Sequence, residues 1–200
     1  MAAEAKPYLT PEEYLAIERE AEYKSEYWNG HMWPLGGAPF AMAGGRPEHN
    51  LICLNVGGEL RSLLKGRCRV YNSDQRILVS ASGLYTYADV SVVCGAPMVK
   101  ENDTLANPIV IVEVLSKTTE LRDRGVKFAQ YRALPSLQDY VLVSQMEPRV
   151  EVYHRDGEFW ILRESVGLDA VANLTSVDCH IALTEIYLGV EFVEDCSSGG

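Results

Sequence analysis

The chain has 200 residues, 47% of them hydrophobic, and a mean hydropathy of −0.08, which suits a globular protein with a sizeable core of its own. No stretch reaches the apolar length of a membrane span and the N-terminus has no apolar signal core, so the expectation is a cytoplasmic protein without a membrane partner. The net charge of −10 weighs against tight, non-specific adhesion to nucleic acid, which draws on Lys and Arg; the basic residues gather only over 61–69 and 117–132. The five cysteines, Cys53, Cys68, Cys94, Cys179 and Cys196, are odd in number and scattered, with no CxxC pair. They predict buried reduced thiols and argue against a structural zinc site.

Thr10-Pro11-Glu12-Glu13 is a helix start, with a capping residue, a proline at the first helical position and a glutamate to close a capping box. That helix should run to about Ala21. Asn29-Gly30 then predicts a two-residue hairpin turn between Lys24–Trp28 and His31–Trp33. Pro34–Gly45 is rich in Gly, Ala and Pro without periodicity and reads as a mobile loop, a length that often serves as a lid or binding loop. From Pro47 to Lys65 the apolar spacing predicts a helix, weakened by Gly57-Gly58 and capped at Gly66. Strands are expected at Arg69–Tyr71, Arg76–Val79, Tyr87–Val93 and Ile109–Leu115. A helix should follow over Leu121–Tyr131, then strands at Gln138–Val143, Arg149–Tyr153 and Phe159–Arg163, and a short helix at Leu183–Tyr187. Residues 196–200 form a polar tail expected to be disordered. With no repeats and no linker, the expectation is one domain over residues 1–195. A strand, helix, strand succession around Glu113 makes it α/β, with a central mixed sheet flanked by helices and preceded by an N-terminal helix and hairpin.

The strand Ile109–Leu115 is apolar and β-branched almost throughout, except for Glu113. Burying an ionised carboxylate among apolar side chains is costly unless a cation or strong donors compensate it. Tyr87–Val93 likewise carries a single acid, Asp89, and the next helix carries Lys127. Two acids on neighbouring strands with a lysine nearby suit a divalent metal and a water beside it.

Taken together, Tyr87-Ala88-Asp89-Val90-Ser91-Val92-Val93-Cys94-Gly95, Pro108–Ser116, Asp123-Arg124-Gly125-Val126-Lys127-Phe128-Ala129-Gln130-Tyr131 and Leu134–Val143 resemble the Uma-type family of bacterial endonuclease-like proteins. That family falls within the PD-(D/E)XK superfamily and has a restriction-endonuclease-like fold. With Glu26-Tyr27 before the Asn29-Gly30 turn, the likeness spans about Thr10 to Phe192. It implies a metal-dependent phosphodiesterase: Asp89 and Glu113 as acids, the Val114 carbonyl as a further ligand, Mg²⁺ (or Mn²⁺) as the ion, and nucleic acid, DNA above all, as substrate. Restriction-type folds often pair their sites to cut both strands, so the resemblance also implies a homodimer. The superfamily lysine normally sits two residues after the second acid, where this chain has Leu115; the resemblance moves that role to Lys127. Ala88 stands where proline is usual, a backbone matter. Lys117 stands where the family commonly has proline, and it competes for the basic role.

Each of these residues also has a plainer reading. Asp123 precedes Lys127 by four residues, the spacing of an exposed helix ion pair, and Asp123 itself suits a helix start. Glu113 could be a structural salt-bridge partner, although it lies where α/β sheets tend to place ligands. Asp74 is either a third metal-side acid or a turn former. Glu26 and Glu59 would supply outlying carboxylates, but the simpler expectation is that both face water. His49 could touch substrate or be incidental, Tyr131 reads as packing, and Trp28 with Trp33 as a cross-strand stack. Two rival functions stay open: a nuclease fold kept as a silent binding or assembly module, and a metal-dependent hydrolase of small phosphorylated substrates. The acidic charge favours either.

Overall fold

The capping box expected at Thr10 forms: its hydroxyl accepts from the Glu13 N–H while Glu13 Oε2 accepts from the Thr10 N–H, and α1 (Pro11–Glu20) runs on from there. The structure is a computed structural model that describes residues 8–35 and 46–192, so most of the glycine-rich loop and the whole polar tail lie outside the described residues. Strands β1 (Ser25–Trp28) and β2 (His31–Pro34) close on Asn29 and Gly30, both at positive φ (49° and 77°), as a type I′ turn requires. In that register Trp28 faces His31 and Trp33 faces Glu26, so the two indoles do not stack across the hairpin as expected. Each indole N–H has its own acceptor, Ser82 O and Glu26 Oε2.

Helix α2 (Pro47–Leu63) is followed by β3 (Cys68–Asn72), β4 (Arg76–Val79), β5 (Leu84–Tyr87), β6 (Val90–Cys94), β7 (Val99–Lys100), β8 (Thr104–Leu105) and β9 (Val110–Leu115). A nearly continuous helical segment comes next, made of α3 (Glu120–Arg122), a π-helical turn (Asp123–Lys127) and α4 (Phe128–Tyr131). Then come β10 (Asp139–Ser144), β11 (Arg149–Asp156), β12 (Phe159–Val166), β13 (Val171–Leu174), β14 (Cys179–Ala182) and α5 (Leu183–Ile186). One sheet has the order β2-β1-β5-β4-β8-β7, a second β12-β11-β10-β9-β6-β3, and β13 pairs with β14 alone. Within the second sheet β9 and β10 are parallel, joined by the α3–α4 crossover, while the other neighbours are antiparallel.

Strand β9 is buried on both faces and separates two cores. Val110, Val112 and Val114 pack with Ile52, Val56 and Leu60 of α2, whereas Ile111 and Leu115 pack with Tyr131, Leu134 and Tyr140 on the α4 side. The mixed sheet flanked by helices therefore stands as expected.

Two further expectations fail in instructive places. Tyr87–Val93 is not one strand: the chain breaks at Ala88-Asp89, leaving β5 in the first sheet and β6 in the second. Cys68 and Cys94 are not reduced thiols either. They are register partners at the end of the β3–β6 ladder and form a disulfide, while Cys53 and Cys179 are free. A separation of 26 residues gives no hint of that pairing; only the antiparallel register does. Disulfides persist mainly in oxidising compartments, so the cysteines no longer argue for a reducing one. Among the described residues no helix is long and apolar enough to cross a membrane.

Candidate active site

Alternation along β9 turns Glu113 toward the α3–α4 segment, where it is 3% exposed. Lys127 and Tyr131 stand one helical turn apart and both reach its carboxylate: Lys127 Nζ lies 2.7 Å from Oε1, and the Tyr131 hydroxyl donates to the same oxygen at 3.1 Å. Asp123 Oδ1 is 3.8 Å from the same ammonium. The π-helical turn widens the helix at these residues, a distortion common at functional sites, and the Tyr140 hydroxyl holds it by donating to the Asp123 carbonyl at 2.9 Å. The exposed Asp123–Lys127 pair that spacing alone predicts is thus a buried one. Tyr131, read from sequence as packing, is a direct partner of Glu113.

Burial pushes the Glu113 carboxyl well above its ordinary range, against the pull of Lys127. Burial raises Asp123 too, again opposed by Lys127. Lys127 itself is held above its ordinary range: burial acts to lower it, but the nearby charges of Glu113, Asp123 and Glu26 prevail. One buried ammonium therefore sits against two buried carboxylates.

Asp89 enters from the break between β5 and β6. Strand β6 pairs with β9 only as far as Val90↔Val112, and continuing that register by one residue sets Asp89 across from Glu113. Past that point the Val114 N–H has no β6 partner and donates instead to Asp89 Oδ2 at 2.7 Å. The N–H and C=O of one strand residue point to the same side, so the Val114 carbonyl faces the same gap. His49, in the first turn of α2, reaches this gap with Nε2 3.5 Å from Asp89 Oδ2. Its Nδ1 lies 3.5 Å from Cys53 Sγ, one helical turn on. Asp89 as a hydrogen-bond partner raises the His49 pKa, with the Val114 carbonyl adding to it. Asp89 is lowered: burial acts to raise it, but His49, then Lys127 and the Val114 N–H, outweigh that. Burial pushes the Cys53 thiol up, the opposite of what a nucleophilic cysteine needs.

The remaining candidates divide cleanly. Glu26 does not face water: it is fully buried, bonded to Thr86 and Arg122, and accepts from Trp33 Nε1 at 2.9 Å. Burial acts to raise its pKa, yet Lys127 and Arg122 bring it below the ordinary value. Glu26 therefore belongs to the electrostatic surroundings of Lys127. Asp74 is a turn residue: its backbone N–H donates to Asn72 Oδ1 and its exposed carboxylate pairs with Lys24 at 2.6 Å. Lys117 stands exposed in the turn after β9, and it is Nζ of Lys127 that lies at Glu113. Glu59 is half-buried on α2.

The hard-oxygen donors here, two carboxyl groups and a carbonyl freed from its ladder, fit a divalent ion such as Mg²⁺ in kind.

Residues 11–183 match the Uma2 family, described as "Putative restriction endonuclease". An uncharacterized protein of Synechocystis sp. is 36% identical over 189 residues, covering 93% of this chain and 95% of its own. A second from the same organism is 36% identical over 166 residues, covering 81% and 90%. Among solved structures, one titled as a putative nuclease belonging to DUF820 from Anabaena variabilis superposes with a TM-score of 0.65 at 20% identity, over 90% of this chain and 97% of that one; at that identity it speaks for the fold. On the family match and the two relatives, this chain belongs to the Uma2 family.

Proposed function

We propose that the chain is a Mg²⁺- or Mn²⁺-dependent endonuclease that hydrolyses nucleic-acid phosphodiester bonds, with DNA as the first substrate to try. The observation that carries the proposal is the buried set on β9 and its neighbours: Glu113 shared by Lys127 and Tyr131, with Asp89 and the Val114 carbonyl in the adjoining gap. Membership of the Uma2 family supports the same reaction class. Asp89, Glu113 and the Val114 carbonyl would hold the ion. When bound, it supplies Lewis acidity at the scissile phosphate and neutralises charge there. Lys127 orients the attacking water and stabilises negative charge developing on the phosphoryl oxygens. Tyr131 fixes the Glu113 carboxylate, and the Val114 N–H fixes that of Asp89. Such positioning groups matter because small displacements at a reacting centre are costly.

A second reading rests on the net charge of −10, which suits a small phosphorylated substrate better than a long polyanion. Calorimetric titration with Mn²⁺ and Mg²⁺, on wild type and Glu113→Ala, with plasmid nicking followed in the same buffers, tests the first. Binding and nicking are both expected in the wild type and both lost in the variant. Binding without nicking of plasmid, but with turnover of mononucleotide esters, would favour the second reading. No binding at millimolar ion, the weak end for oxygen-ligand sites, would sink both.

A further inference from the structure

Next to the oxygen donors lies a group of different chemical character. One ligand atom each from His49, Cys53 and Asp89 lies within 4.8 Å of the other two, the one such cluster of three among the described residues. His49 and Cys53 occupy successive turns of α2, and Asp89 faces them from the β5–β6 break. All three are half-buried, so an ion could reach them from solvent.

Imidazole nitrogen, thiolate sulfur and carboxylate oxygen form a donor set that hard ions such as Mg²⁺ do not favour. Zn²⁺ and Co²⁺ accept it readily, in tetrahedral sites where three protein ligands leave a fourth position open. A Cys–His–Asp arrangement also suggests a nucleophilic thiol. Against that, the Cys53 sulfur packs at the edge of the apolar core formed with α2, with no cationic neighbour other than His49 in contact among the described residues. A metal ion removes the difficulty because it displaces the thiol proton on binding.

We infer that His49, Cys53 and Asp89 form a binding site for a borderline-soft divalent ion, Zn²⁺ or Co²⁺, distinct in donor chemistry from the oxygen site. The cysteine pattern does not reveal it, because the ligands come from a helix and a strand break brought together only by the fold. The site exists whether or not the chain cleaves nucleic acid. Only one consequence rests on the nuclease reading: Asp89 is common to both sites, so Zn²⁺ at His49 and Cys53 withdraws a ligand from the oxygen donors and suppresses Mg²⁺-supported activity.

The test is a Co²⁺ titration of the full chain followed by absorption, with Zn²⁺ competition for affinity. Wild type should give a near-ultraviolet thiolate-to-cobalt band and intense visible bands that saturate together and are bleached by Zn²⁺. Cys53→Ser, checked by circular dichroism to be folded, should lose the near-ultraviolet band. Its Zn²⁺ affinity should fall by more than about 100-fold, beyond what loss of an outer partner costs. His49→Ala should weaken Zn²⁺ to a similar degree. Cys179→Ser, which removes the other free thiol of the described residues, should leave the spectrum unchanged. Glu113→Gln should also keep the band, so a protein that shows the band but never nicks DNA loses the nuclease reading and keeps this site. Cobalt taken up without a thiolate band, a band that survives Cys53→Ser or disappears with Glu113→Gln, or no cobalt uptake would overturn the inference.

Discussion

Two ionic clusters, one in each large sheet, are built with opposite balances of charge. Beside β4 and β8, Asp103 sits between two guanidiniums, Arg19 at 3.0 Å and Arg76 at 2.8 Å, with Thr104 Oγ1 donating at 3.0 Å. Beside β9, Lys127 sits between two carboxylates, Glu113 at 2.7 Å and Asp123 at 3.8 Å. The first cluster opens to the surface on one side, where Asp103 and Arg19 are each about two-fifths exposed and solvent screens what the partners leave, while Arg76 backs it from a buried position. The second is buried, and solvent cannot make up the difference. A cluster with more cations than anions at the surface is a brace. A buried cluster with more carboxyl groups than cations can be relieved by protons, as the raised Glu113 and Asp123 carboxyls favour, or by a further cation, which is what the proposed metal site would supply.

The sharpest way to break this contrast is Lys127→Met. Among the described residues Lys127 is the only cation in contact with Glu113; removing it leaves the buried carboxyl groups without an ion-pair partner, and breaking a buried pair typically costs about 3–5 kcal/mol. Urea unfolding should show a loss of that size in metal-free protein. Saturating Mg²⁺ should restore more stability to the variant than it adds to wild type, with a linkage gain of about 2.7 kcal/mol at a hundredfold excess over Kd. Equal Mg²⁺ effects on the two proteins would mean that the surplus carboxylates are not what holds the ion. Tyr131→Phe is a gentler probe. It removes one hydroxyl from a buried carboxylate, so the stability loss should be about 1 kcal/mol, while Mg²⁺ affinity in the calorimeter should fall by roughly 10-fold as Glu113 loses an orienting partner. A stability loss with unchanged Mg²⁺ affinity would make Tyr131 a packing residue after all.

The same contrast explains what the sequence disclosed. Glu113 stood out because a lone acid in a β-branched run is costly to bury, and that cost is visible in one dimension. Thr10 with Glu13 and Asn29 with Gly30 were equally legible, since capping boxes and type I′ turns are local. Glu26 was not: in Ser25-Glu26-Tyr27 nothing local says which face of a short strand is buried, and Arg122, its ion-pair partner, lies 96 residues away. The Cys68–Cys94 bond and the His49–Cys53–Asp89 cluster failed for the same reason, each depending on register or on a strand break. The four-residue spacing of His49 and Cys53 was the one available signal, and without Asp89 beside it that spacing carried no chemistry. Periodicity places Tyr131 on the right helix but cannot tell a core tyrosine from one whose hydroxyl meets a buried carboxylate.

The smallest expected effect belongs to the surface brace and sharpens the comparison from its other side. Burial acts to raise the Asp103 carboxyl, but hydrogen bonds from Arg19, Arg76 and Thr104 hold it down to about 2, below its ordinary 3.8. A group whose folded-state pKa is depressed contributes stability above its unfolded value and loses it as pH falls through the folded one. The brace should therefore act in full above about pH 4 and fade between there and about pH 2. Urea midpoints of wild type and Asp103→Asn should differ modestly at neutral pH and converge across that acid window, and Mg²⁺ should leave the difference unchanged. Midpoints that stay apart below the window would show that Asp103 acts through packing and not through its charge. A difference that responds to Mg²⁺ would join the two clusters into one electrostatic unit and remove the distinction between brace and site.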